Sequence, residues 1–221
     1  MLFRDRDDAG EKLAGALAPL KGRDCVVLAL PRGGVPVAAH VAAALSAPLD
    51  LLLVRKIGAP RQPELAIGSI IDGGNPIIIR DEKLIALTGA SQAQFRDICA
   101  QELAEIERRR KYYLGGRPPP ELKGKIVIVV DDGLATGNTM RAALKAVRLR
   151  DPGKIVMAVP VAPPGVAEDF HNEADLVVCL ATPEPFESVG RFYGDFNQVS
   201  DADVVSLLER QRKAAPAFMA S

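Results

Sequence analysis

Tryptophan is absent from this chain, histidine occurs twice and cysteine three times in 221 residues. Cys25, Cys99 and Cys179 are odd in number and far apart, with no C-x-x-C pair. They form no disulfide framework, and a reducing cytoplasm is the expected location. His40 and His171 stand at no metal-ligand spacing from a Cys or Glu, so no structural metal is expected. Net charge is also missing: 28 Lys plus Arg face 28 Asp plus Glu. A neutral chain has no general attraction to nucleic acid or anionic lipid, so an anionic ligand needs a local arrangement of donors. There is no long hydrophobic run. The longest uncharged stretch, Gly33 to Leu49, is too short and too rich in Pro and Ala to span a bilayer. Arg4 to Asp8 carries mixed charges where a secretory signal would be basic and then apolar. What is present, 48% hydrophobic and 25% charged residues, is the composition of a soluble globular protein, and the length suits a single domain over 1–221.

Short runs rich in Val and Ile alternate with helical patterns, the signature of a mostly parallel sheet covered by helices. The runs predict strands over Cys25 to Leu30, Leu49 to Val54, Ile126 to Val130, Ile155 to Val161 and Leu176 to Leu180. Helices fit Ala9 to Leu20, Val35 to Leu45, Ser91 to Leu114, Thr139 to Leu149, Pro164 to His171 and Asp201 to Arg212, and Ser91 with Gln94 reads as a capping box. Leu65 to Ile71 and Pro76 to Arg80, separated by Asp-Gly-Gly-Asn, read as a hairpin. That hairpin and the long helix interrupt the βα alternation. The run Arg108 to Lys111 could be a basic patch for phosphates but reads better as cations of a last helical turn that offset the negative end of the helix dipole, with Glu102, Glu105 and Glu107 within reach.

The strongest chemical signal is the strand Ile126 to Val130 followed by Asp131-Asp132-Gly133-Leu134-Ala135-Thr136-Gly137-Asn138-Thr139. Backbone N–H groups at a helix start, with the hydroxyls of Thr136 and Thr139, form a cradle for a phosphate, and Gly137 lets the backbone approach. Two carboxylates at the carboxyl end of the strand can accept hydrogen bonds from vicinal hydroxyls. A phosphate site one loop from a diol site describes a ribose 5-phosphate; the plain alternative is a βα turn capped by Asn138 or Thr136. A second strand end carries Pro31-Arg32-Gly33-Gly34, whose successive N–H groups and fixed charge suit a pyrophosphate. A third, Val54 to Gly68, holds three cations, Arg55, Lys56 and Arg61, with Pro60, Pro63 and Glu64, and suits a strand-end loop that closes as a lid; Arg61 and Glu64 also read as a solvated pair, the better reading for Arg61.

The Asp-Asp and Thr-Gly-x-Thr string resembles the phosphoribosyl pyrophosphate (PRPP) motif of type I phosphoribosyltransferases. The resemblance covers most of Cys25 to Val161 and implies the fold of that family, α/β with a hairpin lid and a small hood. It implies a core over about 22–180, with hood candidates in 1–20 and 181–200. It further implies that Asp131 and Asp132 take the ribose hydroxyls, that Gly133 and Ala135 to Thr139 hold the 5-phosphate, and that Arg32, Gly33, Gly34, Arg55 and Lys56 hold pyrophosphate. The implied reaction is nucleotide-metabolic: a pentosyl transfer from PRPP to a nitrogenous base, a purine among the candidates. Mg²⁺ would be held mainly through PRPP and water, as that ion prefers, with no protein metal ligand.

Leu134-Ala135-Thr136-Gly137 and the Arg55-Lys56 lid start are similar to adenine phosphoribosyltransferase, which implies Glu64 as general acid or base toward the acceptor, although the lid's usual extended middle is missing here. Phe186, Phe192, Tyr193 and Phe196 mark the hood; three read better as a small core, while Phe186, between Pro185 and Glu187, is the candidate to stack on a base. Phe3 to Arg6 is a further hood candidate. Residues 160–204 carry nine acids and one Arg, Arg191, which would repel a nucleic-acid backbone. Expected partners are therefore PRPP and a small acceptor, with neither membrane nor nucleic acid, and with a homodimer left open. A non-catalytic PRPP- or nucleotide-sensing regulator of the same fold is the alternative. No G-x-G-x-x-G follows the first strand and no P-loop occurs, which disfavours a dinucleotide oxidoreductase and an ATPase.

Overall fold

The computed structural model describes residues 2–72 and 76–214. In chain order the elements are α1 (Arg6–Ala16), a 3₁₀ turn (Ala18–Leu20), β1 (Cys25–Ala29), α2 (Gly34–Leu45), β2 (Leu49–Leu51), β3 (Val54–Ala59), β4 (Gln62–Ile71), β5 (Ile77–Arg80), α3 (Glu82–Thr88) and α4 (Gln92–Leu114). Then follow β6 (Ile126–Val130), α5 (Asn138–Arg148), β7 (Lys154–Val161), α6 (Val166–Asp169), β8 (Leu176–Ala181), a 3₁₀ turn (Val189–Phe192) and α7 (Asp201–Ala214). They form two compact units, one of Met1–Leu51 with Pro120–Ser221 and one of Leu52–Pro119. The second unit is the stretch whose hairpin and long helix break the βα rhythm in the sequence.

The first unit is built on a five-stranded sheet of order β2-β1-β6-β7-β8 with every pair parallel. Every residue of β1, and all but the first residue of β6 and of β7, is buried, as expected of strands covered on both faces. The chain leaves β1 toward β2 and leaves β6 toward β7, in opposite directions along the sheet. The carboxyl ends of β1 and β6 therefore flank a topological switch point, where open α/β sheets bind ligands. Their register is level: Cys25 pairs with Ile126 and Ala29 with Val130, and the Leu30 amide donates to the Val130 carbonyl at 2.9 Å. The loops after these two strands thus emerge side by side.

The terminal segments meet each other. Phe3 forms a parallel bridge with Tyr193, and the Asp195 amide donates to the Arg4 carbonyl at 2.7 Å. Phe3, Ala9, Val161 and Tyr193 make a small buried cluster, with Phe186, Phe192 and Phe196 packed against it.

The second unit is a three-stranded antiparallel sheet, β3-β4-β5, with α3 and α4. The hairpin is present, β4 pairing with β5 from Ile71↔Ile77 to Gly68↔Arg80; its turn at 73–75 lies outside the described residues. Ser91 and Gln94 form the capping box of α4. Glu105 accepts from Arg108 at 2.7 Å and from Arg109 at 2.6 Å, so those cations face carboxylate partners along the helix.

Three expectations are corrected here. The run Leu49 to Val54 is not one strand: Leu49–Leu51 completes the parallel sheet and Val54 opens the antiparallel one. Hydrophobicity marks burial but carries no label for which partner strand follows. The stretch Val54 to Gly68 is likewise no strand-end loop. It forms β3 and most of β4, joined at Pro60-Arg61, with register shifts between Ile57 and Ala59. Gly58 permits that irregular pairing, since a Cβ there would lie 2.4 Å from the Pro63 carbonyl oxygen. The helix expected over Pro164 to His171 contracts to Val166–Asp169, and α3, capped by Asp81, is a helix that the sequence patterns do not single out.

Candidate functional site

The level register of β1 and β6 brings Gly33 and Gly34 against Asp131 and Asp132. Contact is so close that only glycine fits: a Cβ on Gly33 would lie 2.1 Å from Asp132 Oδ2, and one on Gly34 would lie 2.8 Å from the Val130 carbonyl oxygen and 2.9 Å from Asp131 Cα. Arg32 follows a cis peptide after Pro31 and its Nη1 lies 3.3 Å from Asp201 Oδ1, at the start of α7.

The loop after β6 is anchored at its base and open at its tip. The Leu134 amide donates to the Val161 carbonyl at 2.9 Å, and Gly133 sits where a Cβ would be 2.5 Å from Val189 Cγ1. Ala135, Thr136, Asn138 and Thr139 are exposed. Gly137 occupies the N-cap position of α5 with φ +70°, beneath the Phe170 ring, and no side chain caps the helix. The alternative of a turn capped by Asn138 or Thr136 is therefore not what the chain adopts. The first amides of an eleven-residue helix face the loop without a side-chain acceptor, and with two flanking hydroxyls they suit an anion.

The two acids at the foot of this loop are held differently. Asp131 Oδ1 accepts from the Asp132 amide at 2.9 Å. Burial pushes its carboxyl well above the usual range, and the neighbouring Asp132 charge adds to the effect. Burial also raises Asp132, but Arg6 opposes it, Nε donating to Asp132 Oδ2 at 2.8 Å. Adjacent carboxylates in a low-dielectric site cannot both ionise without a counter-charge. The Tyr193 hydroxyl donates to the Asp132 carbonyl at 2.6 Å, and burial together with Asp132 pushes that phenol up. Sequence reasoning did not single out Arg6 or Tyr193 for these roles. The available signal was Asp5: its side chain accepts from the Asp8 amide at 2.8 Å, which starts α1 at Arg6 rather than at Ala9.

The remaining expected residues are carried by other elements. Arg55 and Lys56 are on β3 and Glu64 on β4, in the second unit. Arg55 Nε donates to Glu102 Oε2 at 2.5 Å, while Lys56 and Glu64 are exposed. Phe186 is half-buried with its ring 5.2 Å from that of Phe192. Among the described residues no three His, Cys, Asp or Glu side chains converge as a metal cage, and no helix is long and apolar enough to cross a membrane.

Comparison with known proteins finds relatives that span nearly the whole of this chain. A protein of Thermus thermophilus, TT1426, has a crystal structure that superposes with a TM-score of 0.80 at 44% identity, covering 96% of this chain and 99% of that one. Proteins from two strains of Mycobacterium tuberculosis, each provisionally named a phosphoribosyl transferase, are 45% identical over 212 residues. The match takes in 96% of this chain and 47% of theirs, so the chain spans about half the length of these curated relatives. A family model described as the phosphoribosyl transferase domain matches residues 7–180, which include both strand-end loops, the acid pair and the whole second unit. This chain therefore belongs to the phosphoribosyl transferase domain family.

Proposed function

We propose that this chain transfers a 5-phosphoribosyl group from PRPP to a nitrogenous base, with a purine among the candidate acceptors, and releases pyrophosphate. The observation that carries the reading is the juxtaposition at one switch point of a diol-accepting acid pair, an uncapped helix start and a glycine turn bearing Arg32. These elements match the three parts of PRPP: ribose hydroxyls on Asp131 and Asp132, the 5-phosphate on Gly133 and Ala135 to Thr139, and pyrophosphate at Arg32 to Gly34. Arg55, Lys56 and Glu64 enter from the sequence resemblance alone, the first two as pyrophosphate ligands and Glu64 as the group that takes or gives the acceptor's proton. Phe186 is the candidate to stack on the base.

In the reaction the bond from the anomeric carbon to pyrophosphate breaks as a bond to the acceptor nitrogen forms on the opposite face. The acceptor's proton passes to a base, and pyrophosphate leaves with the bonding electron pair. Positive charge gathers on the sugar near the two acids, and negative charge on the leaving group near Arg32, so fixed charges oppose both. The donors present on these loops suit phosphate oxygens rather than a bare cation. Mg²⁺ carried by PRPP and water would neutralise the leaving group.

The test is pyrophosphate release from PRPP and Mg²⁺ across a panel of bases, beside calorimetric titration with PRPP. Release with at least one base is the expected result. Binding without release points to the regulator, and no binding sinks the reading. Asp131→Asn with Asp132→Asn is expected to abolish PRPP binding; an unchanged affinity in that double variant refutes the site.

A further inference from the structure

Arg6 comes from α1, far in sequence from either substrate loop, yet its side chain is only 12% exposed and is held on three sides. Nε donates to Asp132 Oδ2 at 2.8 Å, Nη1 donates to the Asn197 carbonyl at 2.7 Å, and the guanidinium lies 3.9 Å from the centroid of the Phe196 ring. Asp132 Oδ2 is the oxygen that abuts Gly33, so one atom is clamped between Arg6 and the glycine turn. An exposed ion pair of this kind is usually of little consequence, but this one has a 14% exposed carboxylate and a guanidinium fixed by a ring and a carbonyl.

We infer that Arg6 is a positioning residue of the ribose site, holding Asp132 as an oriented carboxylate beside Asp131 so that the pair can accept the ribose hydroxyls. This rests on the PRPP reading above. The groups that face Asp132 are Arg6 from α1, Asp131 from its own loop and the Tyr193 hydroxyl from the hood; Arg32 is turned to Asp201. Arg6 is therefore the cation among them that offsets two adjacent acids.

The sign of the effect is definite. Removing Arg6 takes away the partner that favours the charged form, so the acid pair keeps its proton to a higher pH, by about 1–3 units. Hydroxyl-accepting capacity is then lost as pH falls through a higher midpoint. The experiment follows the carboxyl ¹³C resonances of Asp-labelled protein through a pH titration, assigned with Asp132→Asn, in the natural chain, Arg6→Gln and Arg6→Lys. PRPP affinity is measured across the same pH range. The Gln variant should titrate about 1–3 units higher and the Lys variant should return most of the way. PRPP affinity of the Gln variant should fall about tenfold for each unit below its new midpoint and converge on the natural value at high pH. The phosphates of PRPP titrate alike against all three proteins, so the difference between them isolates the acid pair. Arg6→Met replaces Gln if circular dichroism shows the Gln variant unfolded. An unmoved carboxyl midpoint overturns the inference, as does a loss of affinity that is the same at every pH. If the natural chain binds no PRPP but the midpoint moves, the functional reading fails while the hold of Arg6 on Asp132 stands.

Discussion

Gly33 and Asp132 show how little room a single residue has at this site. With 2.1 Å between a would-be Cβ and Asp132 Oδ2, Gly33→Ala must push either the turn or the carboxylate aside. The backbone itself is ordinary at this position, φ −60°, so the cost falls on the contact rather than on a forbidden conformation. Overpacking of this kind costs about 1–3 kcal/mol. Gly33→Ala is expected to weaken PRPP binding by about tenfold or more while far-UV circular dichroism stays unchanged, and calorimetry with PRPP checks it. Asp131, Asp132, Gly133, Gly137 and Arg32 to Gly34 were all legible as candidates from the chain, because their motifs are written in consecutive residues. Arg6 and Tyr193 were not. Each reaches Asp132 across more than sixty positions, and no local pattern records such a contact.

At the scale of elements, the helix start of α5 and that of α4 solve the same problem in opposite ways. Both leave backbone amides without intrahelical partners. In α4 the capping box satisfies two of them within the chain, Ser91 Oγ accepting from the Gln94 amide at 3.2 Å and Gln94 Oε1 from the Ser91 amide at 3.0 Å. Ser91→Ala is expected to lower stability by about 1 kcal/mol, read as a fall in the urea midpoint and faster hydrogen exchange in the first turn of α4. In α5 the capping position holds Gly137, and the amides stay available to an anion. The capping box was visible in the sequence because its two partners are three residues apart. The antiparallel β3 was not, because Val54 to Gly68 has the charges and prolines of a loop, and the pairing that makes it a strand lies with Gln62–Ile71.

At the scale of the whole molecule, a net charge of zero hides a division. Residues 52–119 carry 11 Lys plus Arg against 8 Asp plus Glu, a surplus of three cations, and the other unit carries the matching surplus of acids. The proposed pyrophosphate ligands Arg55 and Lys56 belong to the cationic unit. Replacing both by Gln is expected to lower PRPP affinity about tenfold at low salt and to flatten its dependence on ionic strength, because screened charges are what the substitution removes. Calorimetric titration at two salt concentrations checks both effects, and an unchanged salt dependence would remove Arg55 and Lys56 from the ligand set.

Sequence alone disclosed the parallel α/β core, the loop after β6 with its acid pair and the glycine turn, since buried strands, helix starts and close-approach glycines leave short-range patterns. It could not disclose that the run Leu49 to Val54 divides between two sheets, or that Asp132 is clamped by a residue from the first helix. Strand partnership and buried ion pairs are settled by which distant surfaces meet on folding. The charge balance shared between β6 and α1 exists only once the terminal segments pair at Phe3 and Tyr193 and bring Arg6 to Asp132.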